Sequence, residues 1–292
     1  MTTPLIAVTG ATGQLGGRLA LRLAAEGAHQ RLVVRDAARA PDLVGASVAV
    51  AQGYTDRAGM RAALEGVDTL FLVSGRESAD RVAEHLSAVD AAVDAGVSRI
   101  VYISFLGAAP DATFTFGRDH AATEAYIRST GLRFTFLRDN FYLAMFPHLV
   151  GADGVIRGPA GDGRVSAVAH DDIADVATAV LLDERTTAHD GLTYDVTGPE
   201  ALTMADAAAQ LSRVTGRSIT YLPETVEQAY ASRAHYGAPA FEVDGWVTSY
   251  TSIGTGEMAE VSPTVRILTG REPESFATWL DLNPQEWTHL RG

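Results

Sequence analysis

The chain contains no cysteine and no lysine. Without cysteine there are no disulfides, no thiolate nucleophile and no thiolate metal ligands, and a reducing cytoplasm is the expected compartment. Without lysine there is no Schiff base, no lysine general base and no P-loop lysine; all 23 basic side chains are arginine. No apolar run approaches the roughly 20 residues that span a bilayer. No basic segment precedes the early apolar stretch "PLIAV", so neither a membrane anchor nor a secretory signal is expected. Internal repeats and low-complexity tracts are missing. So are HExxH, histidines paired at i,i+4 and the GxSxG elbow, and no metal site is expected. Positive charge is scarce as well. The net charge is −13, with the acidic excess spread along the chain, so nucleic acid is excluded as a partner.

What the 292 residues do contain is 47% hydrophobic and 20% charged residues, ordinary for a soluble enzyme and long enough for one large domain or a domain with a cap. The first half alternates apolar runs with alanine-rich helical stretches. "LIAVTG", "QRLVVRD", "DTLFLVSG", "RIVYISF" and "RFTFLRDNFY" read as strands; "QLGGRLALRLAAEG", "RAGMRAALEGV", "ADRVAEHLSAVDAAVDAGV" and "GRDHAATEAYIRSTGL" read as helices. That alternation predicts an α/β fold, a doubly wound (Rossmann) mostly parallel sheet, with ligands at the C-terminal strand ends. Beyond Tyr142 the pattern changes. "GVIRGPAGDGRVSAVAHDD" predicts a short hairpin before the helix "DDIADVATAVLLDE", and "GLTYDVTGPE" one more strand. A dinucleotide-binding domain over 1–200 is expected, with 140–170 contributing loops and the hairpin to the substrate side. A smaller α+β cap over 201–292 would complete the substrate site.

The stretch "VTGATGQLGG" places Gly10, Gly13 and Gly16 between the first strand and the first helix. Gly10 permits the turn, Gly13 lets a pyrophosphate approach the backbone, and Gly16 lets helix and strand pack closely. Thr12 offers a hydroxyl, Gln14 and Leu15 offer amides. The second strand ends in "VVRD". Arg35 suits the 2′-phosphate of NADPH and makes NADH the lesser expectation. Asp36 reaches a ribose or caps the next helix. Tyr54 is placed against an adenine, with Asp56 as a helix cap. Val73, Ser74 and Gly75 lie where a cofactor would cross the sheet.

"TGATGQLGG", "VVRDAAR", "VSRIVYISFLGA", "RDHAATEAYIRSTGLRFTFLRDNFY", "GPAGDGRVSAVAHDDIADVA" and "ILTGREPESFATWL" together resemble the NmrA-like atypical short-chain dehydrogenase/reductases, in particular their quinone oxidoreductase type 2 branch. The wider superfamily uses a Tyr-x-x-x-Lys pair, which a lysine-free chain cannot form; Tyr126 has Thr130 four residues on. The resemblance puts His120 where related enzymes hold lysine, as a catalytic acid or a cofactor anchor. Glu124 lies on the same helical face. It also implies that Asn140, Phe141 and Tyr142 contact the nicotinamide and frame the substrate. Ser104 and Phe105, at the end of the fifth strand, complete the expected cofactor and pocket walls.

Quinone reduction manages without a strong acid, because charge spreads over a hydroquinone anion and water supplies the proton. The expected function is an NADPH-dependent reductase of a quinone or conjugated carbonyl, a small-molecule electron acceptor. The alternatives are a non-catalytic NAD(P)-sensing regulator of NmrA type and a biosynthetic reductase of an aromatic natural product. A homodimer is compatible with the sequence, although no residue calls for one. The His-Asp-Asp run of "VAHDDIADVA" reads as structure rather than a metal site.

Overall fold

The structure, a computed structural model, describes residues 4–291 apart from 184 and 186. From the N-terminus it forms β1 (Ile6–Thr9), α1 (Gln14–Ala25), β2 (Gln30–Val34), β3 (Ala46–Val50), α2 (Arg57–Ala63), β4 (Thr69–Leu72) and α3 (Arg81–Asp94). Next come β5 (Arg99–Phe105), α4 (Thr115–Ser129), β6 (Arg133–Asp139), α5 (Met145–His148), β7 (Val155–Gly158), β8 (Arg164–Val165) and α6 (His170–Leu182). The remainder is β9 (Leu192–Val196), β10 (Leu202–Thr203), α7 (Met204–Thr215), β11 (Thr220–Pro223), α8 (Val226–Arg233), α9 (Ala240–Gly254), α10 (Thr264–Thr269) and α11 (Phe276–Leu282).

Seven strands make one sheet in the order β3-β2-β1-β4-β5-β6-β9, and every pairing in it is parallel. Helices cover both faces, so the central strands are apolar throughout; all seven residues of β5 are buried. Successive side chains serve opposite layers. Val8, Val101 and Leu137 pack with α1, α6 and Val265 of α10, whereas Ala7, Ile100 and Phe136 pack with α2, α3 and α4. In α1 the buried Leu15, Leu19 and Leu23 recur every four residues on the sheet-facing side. The strand order reverses between β1 and β4, and the crevice beyond their ends is where open α/β sheets hold ligands.

The predicted hairpin does not form. β7 pairs in parallel with β11, and β8 pairs antiparallel with β10. The glycines that suggested turns instead admit α9. A Cβ on Gly158 would lie 2.5 Å from ring carbons of Tyr250, and one on Gly163 would lie 2.6 Å from the Ile253 carbonyl carbon. α9 therefore occupies the space a hairpin partner would need. A third core, with Phe146, Ile156, Leu202, Met204, Leu211, Tyr250, Phe276 and Trp279, forms beneath these elements.

The acids of "VAHDD" hold helices together. Asp171, in the first turn of α6, pairs with Arg18 at 3.0 Å and Arg22 at 2.8 Å, both on α1. The buried Asp172 pairs with Arg271 at 2.6 Å and accepts from the Glu274 amide at 2.9 Å. Arg22 and Arg271 both also reach Asp175. Among the described residues there is no group of side chains that could hold a metal, and no helix is long and apolar enough to cross a membrane.

Candidate active site

The turn after β1 has the geometry a phosphate cradle requires. Gly10 has φ +64°, a left-handed conformation open to glycine at no steric cost, and the Gly13 amide closes the turn on the Gly10 carbonyl at 2.8 Å. A Cβ on Gly16 would sit 2.6 Å from the Thr9 carbonyl oxygen, so only glycine lets α1 start this close to β1. The N-terminus of α1 has no capping side chain and no acid in its first turn. Its amides and dipole are left for an anion. Thr12 is exposed, and the Gln14 side chain accepts from Arg18 at 2.6 Å.

At the end of β2, Arg35 is exposed and takes part in no ion pair or hydrogen bond among the described residues. Asp36 caps the following turn, accepting from the Ala38 amide at 3.0 Å. Asp56 likewise caps α2 through the Gly59 amide at 2.9 Å. The Tyr54 hydroxyl contacts Thr9 Oγ1 at 2.9 Å and the Val73 carbonyl at 2.5 Å, and burial pushes it up to about 12. Its hydroxyl thus ties β1 to β4 at the switch point.

Beyond the ends of β4, β5 and β6 lies a cavity of about 1040 Å³, roofed by residues of α5, β7, α8 and α9. Phe105, Phe114 and Phe141 form one wall, with ring centres 5.0 to 5.4 Å apart; Trp246 and Tyr250 of α9 also line the cavity. Ser74, Gly75, His120, Asn140 and Tyr142 also line it. Ser104 does not. Its buried hydroxyl donates to Glu124 at 2.6 Å, and Glu124 also accepts from Arg138 at 2.7 Å and Arg128 at 3.2 Å. Asn140 is a brace: its amide nitrogen donates to Ser166 Oγ and the Met258 carbonyl, each at 3.0 Å.

Arg76, Glu77, Arg157 and Arg233 line the cavity as well, but its buried cation is Arg81, a residue sequence reasoning passed over. It is 5% exposed, donates through Nε to the Gly75 carbonyl at 2.9 Å and through NH2 to His120 Nε2 at 3.0 Å. Its carboxylate neighbour, Asp119, is 3.8 Å away. Arginine only donates, so His120 Nε2 must accept. The His120 proton then sits on Nδ1, directed at the Tyr102 hydroxyl 3.0 Å away. Burial, with Arg81 adding to it, holds His120 well below its usual range. With Nε2 accepting from Arg81, the His120 proton is directed at Tyr102 rather than into the cavity. His85 is arranged the same way: Nε2 accepts from the Gly75 amide at 2.7 Å, and burial followed by Arg81 lowers it to about 3. Arg81 and His85 stand four apart on α3, a spacing that puts them on one face and was the signal available in the sequence.

A glycine turn at the switch point, an uncapped helix start and an adjoining aromatic cavity define a dinucleotide-binding protein of the doubly wound class. More narrowly, the chain belongs to the NmrA-like family, whose model matches residues 2–240. It is 38% identical over 285 residues to the (4-alkanoyl-5-oxo-2,5-dihydrofuran-3-yl)methyl phosphate reductase of Streptomyces griseus, covering 94% of this chain and 96% of that one. It is 33% identical over 277 residues to the NAD(P)H azoreductase of Xenophilus azovorans, with 94% and 96% covered. Among solved structures, it is similar to the NADPH-dependent quinone oxidoreductase of Escherichia coli in complex with NADPH. The TM-score there is 0.85 and the identity 30%, with 95% of this chain and 99% of that one covered.

Proposed function

We propose that this protein is an NADPH-dependent reductase that passes hydride to a planar conjugated acceptor, a quinone or a conjugated carbonyl compound. The observation that carries this reading is that one sheet edge holds both the phosphate cradle and an aromatic-walled cavity containing a buried guanidinium. The acceptors named for the relatives, a quinone, an azo compound and an oxo-dihydrofuran, share conjugation.

The residues present fit the cofactor. The open amides of α1 would take the pyrophosphate and the unpaired Arg35 the 2′-phosphate. When bound, the dihydronicotinamide supplies hydride. The chain's own part is to hold the acceptor against the aromatic wall, exclude water, and offset negative charge on the acceptor oxygen with Arg81. Neutral His120 positions that guanidinium by accepting one of its N–H groups.

The test is NADPH oxidation with a panel of small quinones and enones. Tight NADPH binding without turnover of any acceptor would overturn the reductase reading in favour of a sensor. Arg35→Ala is expected to weaken NADPH by roughly 10- to 100-fold, the range of a lost charge-assisted contact, and to leave NADH nearly unchanged. Titration with each nucleotide checks this, and equal losses would remove the 2′-phosphate role.

A further inference from the structure

The last residue of β6, Asp139, is a buried acid facing the same cavity. It is 2% exposed, and no arginine is within ion-pair distance of it among the described residues. Tyr142 donates to its Oδ2 at 2.7 Å, and among the described residues no other side chain hydrogen-bonds the carboxyl. Register places Asp139 beside Phe105 of the aromatic wall. The charged and titratable groups around it are Tyr142 from its own turn and Arg81 from α3, with the His170 ring of α6 tilted against Tyr142, ring centres 4.2 Å apart. Glu77, His148 and His235 also line the cavity but are exposed, whereas Asp139 is buried against the aromatic wall, and the nearby His120 directs its proton at Tyr102.

We propose that Asp139 is the proton donor of this site, protonating the acceptor oxygen after hydride transfer. The proposal rests on the reductase reading above. Hydride from the bound dihydronicotinamide forms a C–H bond at the electrophilic carbon of the acceptor, the conjugated π bond breaks, and the electron pair moves to the acceptor oxygen. The nicotinamide is oxidised and the acceptor reduced. The O–H bond of Asp139 then breaks as an O–H bond forms on that oxygen, leaving a carboxylate that water reprotonates before the next turnover. A quinone needs this help least, an enone most. Burial supports the assignment, since it raises the carboxyl to about 8 and keeps it protonated at neutral pH.

Asp139→Asn, close in shape, is the first test. Turnover of an enone by the full-length protein is expected to fall about 100-fold in kcat/KM, with a smaller loss for a quinone. In the wild type kcat/KM should decline as pH rises through about 8, and the variant should lose that limb. Tyr142→Phe removes a hydrogen bond that favours the carboxylate, so the limb should move to higher pH. A stability readout needs no cofactor. An unfolded Asp ionises near ~4, so the wild type binds more protons folded than unfolded between ~4 and about 8, and its stability should fall across that window. Asp139→Asn should melt progressively higher than the wild type as pH rises. If the wild type reduces no acceptor, the reductase reading fails. If it does, and Asp139→Asn keeps the wild-type rate and pH limb, only the proton-donor proposal is overturned. A melting difference that does not change with pH would overturn it equally.

Discussion

Replacing Arg81 with methionine is expected to lower kcat/KM for the acceptor by about 100-fold, the loss seen when one preorganised donor is taken from a developing oxyanion. The guanidinium is buried and fixed at two corners, by the Gly75 carbonyl at 2.9 Å and His120 Nε2 at 3.0 Å. It therefore does not have to reorganise as charge develops, and the low-polarity aromatic wall strengthens its field. Methionine keeps most of the volume and removes the charge, so stability should change less than activity. Arg81→Lys should recover only part of the rate, because an ammonium cannot hold both anchors and face the acceptor in one plane. Steady-state kinetics with a quinone and an enone check this. A methionine variant with unchanged kcat/KM would show that the acceptor oxygen lies elsewhere. Both neighbouring histidines should become easier to protonate in this variant, since Arg81 contributes to holding each of them down.

Gly16→Ala should produce the larger loss in stability and abolish tight cofactor binding. The added Cβ would lie 2.6 Å from the Thr9 carbonyl oxygen and from the Gly10 carbonyl carbon. These are backbone atoms of the turn itself, so no side chain can swing aside. Either α1 moves away from β1, separating Leu15 and Leu19 from the sheet, or the turn distorts where phosphate would sit. Overpacking of this kind costs about 3 kcal/mol, which lowers the melting temperature by roughly 5 °C in a chain of this size. Because NADPH stabilises only the state that binds it, the wild type should melt higher with NADPH present. Gly16→Ala should show little such shift. A variant that retains the NADPH-dependent shift would show that the turn tolerates the methyl group.

The sheet was readable from sequence because its signals are local. Apolar runs such as "RIVYISF" are buried on both faces, and the GxxGxxG turn sits between a strand and a helix. The site was less readable because its partners arrive from a distance. Ser104 and Asn140 stand near the expected cofactor path, yet Glu124 of α4 takes the first and the Ser166 and Met258 segments take the second. His120 could be located but not its proton, which is fixed by an arginine 39 positions earlier. Asp139 lay inside the quoted "RDNFY". Its burial without a cation is a property of the assembled cavity, and no spacing rule encodes that.

The parallel pairing of β7 with β11 also bears on how the chain acquires its shape during synthesis. The first residue of β11 is made 65 positions after the first of β7 (Thr220 against Val155). At ~5–20 residues per second the ribosome needs roughly 3–13 s to cover that interval. By then the chain through β6 has already emerged, while β7 waits with an open edge. Arg157 and Gly158 within it are poor material for adventitious strand pairing. The vectorial order of translation thus makes the roof of the cavity a late event, closed over a floor that is already built.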